Sequence, residues 1–264
     1  MTDELIVDDT GPVATFAFNR PAARNSLTLA MLTGLAEGLQ RCAARDDLRA
    51  VVLRGAGELP FSAGYNLEQI QDHPWSADDA RRLHAPIRAV ADAIRACPHP
   101  VIGAARKFVF GAALDIYGHC DLRVCAAGTT FSMPPNRFGF LYPAEGVRAL
   151  AQAIGLAHAT EMLLLGQPVT TEAAAQWGLA QRVFPQNAFE SGLEEIRDVV
   201  AGNAPLSMRA TKRILRGDPA RDGDDERDRL ERAYADIAAC MNSADVREAM
   251  TAFREKRTPR FQGR

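Results

Sequence analysis

The chain has 264 residues, a formal net charge of -2 at pH 7 and a hydrophobic fraction of 47%. This composition is typical of a globular protein that buries a sizeable core, and it lacks the basic excess expected of a nucleic-acid-binding protein. No apolar run approaches the roughly 20 residues of a membrane-spanning helix, and the N-terminus is acidic where a secretory signal is basic. The sequence therefore predicts a cytoplasmic protein that binds neither nucleic acid nor membrane.

The five cysteines are odd in number and show no CxxC spacing, so neither a disulfide framework nor a zinc site is expected. The histidines also lack HExxH or comparable ligand spacing. We expect buried free thiols in a reducing compartment and no bound metal.

The first part of the chain predicts a βαβ unit. Strands are expected at Leu5 to Asp8 and Val13 to Phe18, joined by a short turn that contains glycine and proline. Thr28 is a suitable N-cap for a helix with apolar residues at helical spacing. The continuous apolar run Ala50 to Leu53 then predicts a strand that is covered on both faces.

Gly55 and Gly57 follow this strand and match the start of a GxGxxG dinucleotide motif. The third glycine of that motif is replaced by Pro60. A dinucleotide-dependent oxidoreductase is therefore an alternative that the sequence disfavours.

Two turns of small residues follow, each after an apolar segment. The first is Phe61 to Leu67, and a long helix that Ser76 can cap comes after it. The second is Gly111 to Ala113, which follows the strand Val101 to Ala104 and a short loop and opens a helix. The remaining chain predicts helices at 146–154, 157–165 and 171–177, a strand at 181–184, and helices from 189 onward. We divide the chain into a core, 1–200, and a helical C-terminal region, 201–264.

The second turn exposes backbone N–H groups that have no intrahelical acceptor and lie at the positive end of the helix dipole. Residues as small as Gly111, Ala112 and Ala113 allow an oxyanion to approach these groups. The carboxylate of Asp115 follows within one turn, and that of Glu145 begins the next long helix. Alternatively, the small residues only allow the helix and the sheet to pack closely.

Several segments together resemble the enoyl-CoA hydratase/isomerase (crotonase) superfamily, and their order and spacing match over nearly the whole chain. They are Asn19-Arg20-Pro21, Arg24-Asn25-Ser26-Leu27, Phe61 to Leu67, Phe110 to Asp115, Cys120-Asp121-Leu122-Arg123 and Glu255-Lys256-Arg257 with Pro259. The resemblance implies an α/β fold with a repeated ββα core, the ClpP/crotonase spiral, and a helical C-terminal region that forms trimers. It also implies a homotrimer or a hexamer built from two trimers, an acyl-CoA thioester as substrate, and no cofactor beyond the coenzyme A of that substrate.

In this family, negative charge that develops on the thioester oxygen is held by two backbone N–H groups. The resemblance assigns these donors to Tyr65 and Ala112, with Asp115 and Glu145 as candidate catalytic carboxylates. It also implies substrate-binding roles for Arg24, Ala63, Gly64, Leu67, Gly111, Pro134, Tyr142, Phe253 and Lys256. Arg24 and Lys256 are expected near the CoA phosphates, with Lys256 and Phe253 reaching a neighbouring subunit. The alternative for these cations is ordinary surface charge.

Two departures from the family pattern concern the reaction. Family hydratases use two glutamates, whereas this chain has the shorter Asp115 at the first position and Pro135 at the second. Proline has no proton to exchange, so the usual pair of carboxylates is incomplete. The segment Gly139 to Gly146 resembles the one that supplies a single catalytic glutamate in family isomerases. Glu145 is thus a candidate base, and the alternative is a first-turn carboxylate that complements a helix dipole.

Three hypotheses follow from the sequence. The first is an acyl-CoA enzyme that shifts a 3-enoyl double bond to the 2-position with Glu145 as base, and an enoyl-CoA hydratase with an atypical acid/base set is its nearest variant. The second is a homologue that binds acyl-CoA without catalysis. The third is the disfavoured oxidoreductase.

Overall fold

A six-stranded sheet organises the computed structural model, which describes residues 4–66, 74–139, 141–217, 223 and 225–264. The strands are β1 (Leu5–Asp8), β2 (Val13–Phe18), β3 (Ala50–Gly55), β4 (Val101–Ala105), β5 (Phe108–Phe110), β6 (Leu122–Ala126), β7 (Thr130–Ser132) and β8 (Arg182–Phe184). Their order in the large sheet is β1-β2-β3-β4-β6-β8, and only the β1–β2 pair is antiparallel. Strands β5 and β7 form a separate parallel pair that places Phe110 opposite Ser132.

Helices cover the sheet and make up the C-terminal region. They are α1 (Leu29–Ala43), α2 (Ala77–Ala96), α3 (Ala112–His119), α4 (Pro135–Phe138), α5 (Ala144–Ile154), α6 (Leu156–Leu165), α7 (Thr171–Gln176), α8 (Phe189–Gly202), α9 (Pro205–Arg216), α10 (Glu226–Asn242) and α11 (Ala244–Glu255). Short 3₁₀ turns at Pro21–Ala23 and Gln186–Ala188 complete the described elements.

The predicted N-caps are confirmed. The hydroxyl of Thr28 accepts a hydrogen bond from the N–H of Met31 at the start of α1. Ser76 and Asp79 form a reciprocal capping box at the start of α2, in which each side chain accepts from the backbone N–H of the other residue. Such caps satisfy N–H groups that would otherwise lack an acceptor.

Aromatic packing fixes α3 against the sheet. The ring of Tyr117 packs edge-on against Phe61, with centroids 5.5 Å apart, and Phe61 packs in the same way against Phe18 at 5.3 Å. The buried hydroxyl of Tyr117 donates to the carbonyl oxygen of Val124 on β6 at 3.1 Å. Edge-on rings bury large apolar surfaces in a defined geometry, so the start of α3 has little freedom to shift.

The C-terminal helices are attached to the core by a buried cation. Lys212 of α9 is 8% exposed, and its Nζ lies 2.6 Å from Oδ2 of Asp121. The same Nζ donates to the carbonyl oxygens of Ile94 and His99. A buried ammonium group needs such partners, so these contacts fix the position of α9 against the core.

The division at residue 200, which lies in the last turn of α8, stays a prediction, as does trimerisation.

Some local expectations are corrected. The loop expected after β4 contains strand β5, and β6 and β7 were not predicted. Strands β5 and β7 have three residues each and are too short to show a period. Four of the cysteines are buried free thiols as expected, but Cys240 on α10 is only half-buried.

Candidate active site

The two small-residue turns lie against each other. The N–H of Phe110 donates to the carbonyl oxygen of Ser62 at 3.1 Å, which aligns the first turn with β5. Gly64 has a φ of +96°, and a Cβ atom placed there would lie 2.8 Å from the carbonyl oxygen of Phe110. Only glycine combines this backbone conformation with such a close approach. The fold therefore joins two turns that are 45 or more residues apart in the sequence.

The N–H groups of Tyr65 and Ala112 have no hydrogen-bond acceptor within the described part of the chain, whereas neighbouring N–H groups are satisfied. The N–H of Gly64 donates to Oγ of Ser62 at 3.0 Å, and that of Gly111 donates to the carbonyl oxygen of Ser132 at 2.8 Å. A Cβ on Gly64 would lie 3.6 Å from the nitrogen of Ala112. Two unsatisfied donors on adjoining turns can hold one oxyanion.

Arg24 lies beside the first turn. Its carbonyl oxygen accepts a hydrogen bond from the N–H of Ala63 at 3.1 Å. Arg24 and Asn25 both have positive φ angles, 52° and 56°. The buried Asn25 stabilises this unusual backbone, because its side chain donates to the carbonyl oxygen of Pro60 and accepts from the N–H of Arg20, both at 2.7 Å. The exposed Arg24 side chain therefore projects from a fixed point at the edge of the turn.

Tyr142 adjoins the second turn. Gly111 has a φ of +56°, and a Cβ atom on it would lie 2.8 Å from the hydroxyl oxygen of Tyr142. Burial raises the pKa of the Tyr142 phenol, and the charge of Asp115 adds to that effect. Tyr142 is therefore a neutral hydroxyl at physiological pH.

Asp115 supplies a buried carboxylate one turn into α3. Its side chain is 9% exposed. No donor within the described residues makes a hydrogen bond to its Oδ1 atom. On the other side, a Cβ atom on Gly146 would lie 2.8 Å from Oδ2, so the carboxylate fits directly against the first turn of α5. A buried polar atom without a full set of partners is uncommon and is typical of functional positions.

Two histidines surround this carboxylate. Nδ1 of His119 lies 2.8 Å from the main-chain oxygen of Asp115 and 3.3 Å from its Oδ1. Burial by itself would lower the pKa of His119, but the contacts of its ring with Asp115 and the charge of that carboxylate outweigh burial and raise the pKa. His84 of α2 behaves differently, since burial lowers its pKa despite the attraction of Asp115.

Glu145 lies in a different environment. Its side chain is 60% exposed, and Oε1 lies 3.1 Å from Nη1 of Arg88 on α2. It is in the first turn of α5, one residue before Gly146. The structure thus places Asp115 in a desolvated position and Glu145 in a surface ion pair.

The segment that leads to α5 contains no replacement for the second family glutamate. Pro135 is buried at the first position of α4, where a missing N–H is tolerated. Pro134 is half-buried directly before it. Neither side chain can exchange a proton.

The predicted C-terminal contacts lie apart from the turns in one chain. Phe253 is 82% exposed near the end of α11, and Lys256 is the exposed residue that follows this helix. Within the described residues, no hydrogen bond or ion pair joins either one to the two turns. Leu67 lies outside the described residues.

A cleft of 2020 Å³ opens beside Asp115 and its two histidines, between α2, α3, α5, α9 and α10. The cleft is lined by Asp115, His119, His84, Tyr142 and Glu145. Tyr142 therefore connects the cleft to the second turn, because its hydroxyl faces Gly111.

Across the described ranges, no group of three histidine, cysteine or acidic residues is arranged to hold a metal ion. Over the same ranges, no helix has both the length and the apolar character needed to cross a bilayer.

The fold and the paired turns define a protein of the crotonase fold. A solved enoyl-CoA hydratase/carnithine racemase from Magnetospirillum magneticum superposes with a TM-score of 0.90 at 30% identity, covering 100% of this chain and 97% of that one. The chain belongs to the enoyl-CoA hydratase/isomerase family, whose model matches residues 8–264. It is an enzyme of that family, and the matches leave the exact reaction open.

Two curated relatives are similar over almost their full length. A probable enoyl-CoA hydratase of Mycobacterium leprae is 32% identical over 95% of this chain and 96% of its own. The 2,3-dehydroadipyl-CoA hydratase of Escherichia coli is 29% identical over 99% of both chains.

Sequence reasoning missed the neighbours of Asp115. His119 is four residues after Asp115 on a predicted helix, a spacing that places two side chains together. From the sequence, the histidines are examined only for metal-ligand spacing, so their contact with Asp115 is not predicted. The contact of Gly146 with Asp115 crosses between two helices, and no local pattern indicates it.

Proposed function

We propose that the chain removes a proton from the carbon next to the carbonyl of an enoyl-CoA thioester and returns it elsewhere on the acyl chain. Removing that proton places negative charge on the thioester oxygen, and the N–H groups of Tyr65 and Ala112 would hold this oxygen. The observation that carries the proposal is that these two unsatisfied donors lie on adjoining turns and that the buried carboxylate of Asp115 lies in the first turn of the helix that begins at Ala112. Donors that are already oriented need no rearrangement as the charge develops.

The reaction that this arrangement supports best is the conversion of a 3-enoyl to a 2-enoyl thioester. A carboxylate takes the proton from C2, the electron pair forms a dienolate, and the same carboxylic acid returns the proton to C4. One acid/base group is enough for this sequence, which suits a chain with Pro135 at the second family position. Asp115 is the better-placed base, because its carboxylate is buried whereas that of Glu145 is exposed and paired with Arg88.

Hydration is the second candidate, and the names of the relatives favour it. The Mycobacterium leprae and Escherichia coli proteins are both named hydratases. Addition of water would require Asp115 to activate water without a second carboxylate. A homologue that only binds acyl-CoA is the outcome if no thioester is processed.

CoA binding would combine groups from two subunits. Arg24 is fixed beside the first turn and is suited to a CoA phosphate, and Phe253 and Lys256 would reach the nucleotide of a neighbouring subunit. Helix α10 supports an assembly, because it exposes apolar residues at helical spacing: Leu230, Tyr234, Ile237 and Met241. An exposed apolar stripe of this kind requires a partner surface. We expect a homotrimer or a hexamer, which sedimentation at micromolar concentration would measure.

A turnover panel tests the proposed reaction. Matched 3-enoyl, 2-enoyl and 3-hydroxyacyl-CoA thioesters would be incubated with the purified protein and followed by chromatography. We expect 3-enoyl thioesters to be converted to 2-enoyl products without a 3-hydroxy product. A 3-hydroxy product formed at a higher rate would favour hydration, and binding of acyl-CoA without any product would indicate a catalytically silent homologue.

A further inference from the structure

The contacts of His119 suggest a function for a residue outside the turns and the candidate carboxylates. Its Nδ1 faces two oxygens of the same residue, the main-chain oxygen of Asp115 at 2.8 Å and Oδ1 at 3.3 Å. Both are acceptors, so Nδ1 must carry a hydrogen in either protonation state. This fixes the orientation of the ring, while the side chain remains 21% exposed and lines the cleft.

Asp115 needs such a partner because of its burial. A carboxylate that is 9% exposed loses most of its hydration, and its Oδ1 makes no hydrogen bond of ordinary geometry within the described residues. Burying a charged group without a partner carries a large free-energy cost. A cation within ion-pair distance offsets this effect.

We propose that His119 is a positioning residue that holds the Asp115 carboxylate in place and oriented toward the cleft. The inference rests on the proposed function of Asp115 as the acid/base group. His119 does not receive the substrate proton in this scheme, since that proton stays on the Asp115 carboxylic acid until it is returned to the acyl chain.

Charged and titratable groups on the neighbouring elements are consistent with this assignment. Arg216 of α9 opposes protonation of His119, but its Nε lies 3.3 Å from Oδ1 of Asp121, which offsets its charge. His84 of α2 has a lowered pKa and is therefore the neutral histidine of the cluster. Tyr142 is neutral, and Glu145 of α5 is directed to Arg88. His119 is thus the cation that Asp115 meets.

The experiment compares kcat and KM of His119→Leu and His119→Gln with those of wild type, on whichever thioester is processed. Leucine removes the charge and the donor, whereas glutamine removes only the charge. We expect the loss to appear in kcat rather than in KM, because a positioning residue acts on the reacting group and not on the binding of the thioester. We also expect kcat to fall by about tenfold with leucine and less with glutamine, with KM changed by less than about twofold.

His158→Gln is the matched control, because His158 stacks on Trp177 at a centroid distance of 4.5 Å and does not line the cleft. It should leave kcat and KM close to those of wild type. A wild-type kcat in both His119 variants, or a loss expressed mainly in KM, would overturn the proposal, because neither result fits a residue that orients the acid/base group. Circular dichroism and sedimentation would confirm that the variants fold and assemble.

A second measurement does not depend on turnover. Nuclear magnetic resonance of the protein with labelled histidine gives the titration midpoint of His119 directly. We expect this midpoint to fall in Asp115→Asn, and an unchanged midpoint would refute the pairing. The two proposals remain separable. An active Asp115→Asn variant rejects Asp115 as the base, whereas an inactive one beside His119 variants of normal kcat rejects only the function assigned to His119.

Discussion

The first turns of α3 and α5 carry the two candidate carboxylates, yet they provide opposite environments. Asp115 of α3 is 9% exposed, and Glu145 of α5 is 60% exposed. Both experience the positive end of a helix dipole, so the dipole does not distinguish them. Burial does, because the Asp115 carboxylate fits against the first turn of α5, whereas that of Glu145 faces solvent and Arg88. Position on a helix therefore does not separate the two candidates, and packing does.

The largest effect is expected from the carboxylates themselves. Asp115→Asn should lower kcat by about 10²–10⁴-fold, the usual contribution of a general acid/base group, whereas Glu145→Gln should stay within about threefold of wild type. Both variants keep the side-chain size, and steady-state kinetics on the active thioester would measure them. Loss of turnover in Glu145→Gln together with normal turnover in Asp115→Asn would assign the acid/base function to Glu145 instead.

The next effect concerns the backbone donor at the start of α3. Ala112→Pro removes the N–H while proline remains sterically possible in a first helical turn. We expect turnover to fall by about 10²–10³-fold, the usual loss when one oxyanion donor is removed. Ala112→Gly retains the N–H and should stay far closer to wild type. Near-normal turnover of a folded Ala112→Pro protein with unchanged oligomeric state would reject the proposed oxyanion hole.

A smaller loss is expected where the two helices meet. Gly146→Ala introduces a Cβ atom 2.8 Å from Oδ2 of Asp115, so the carboxylate must move. Displacement by about 1 Å can cost up to about 10²-fold in rate. The neighbouring substitution Ala144→Gly, at an exposed position of the same turn, serves as the control. Normal kcat in Gly146→Ala would show that the position of Asp115 is not critical.

The smallest effect is expected from the partner of Glu145. Arg88→Ala breaks an exposed ion pair, and such pairs contribute roughly 0–1 kcal/mol to stability. The free energy of unfolding measured in urea should therefore change by less than about 1 kcal/mol, and kcat should change by less than about twofold. A tenfold change in kcat would indicate that the Glu145 carboxylate takes part in the reaction after all.

Much of the fold could be predicted from the sequence. The hairpin of β1 and β2, the caps at Thr28 and Ser76, and the helix that begins at Ala112 all occur as expected. Periodicity and capping are local properties, so a single sequence carries them. Strands β5 and β7 were missed because their pairing partners are 22 residues away, as in Phe108 opposite Thr130, and three residues show no period.

The candidate site likewise combines features that are local in the sequence with features that depend on long-range packing. The residue types of the site can be read directly from the sequence: two turns of small residues, a carboxylate within a turn of the second, and proline where a second carboxylate would be needed. These are chemical identities, and family resemblance extends them to a CoA thioester. Three contacts emerge from the packing alone: Gly64 against Phe110, Asp115 against Gly146 beside His119, and Glu145 outward to Arg88. The physical reason is that desolvation and contact depend on which distant segments pack together, and a local pattern of residues does not contain that information.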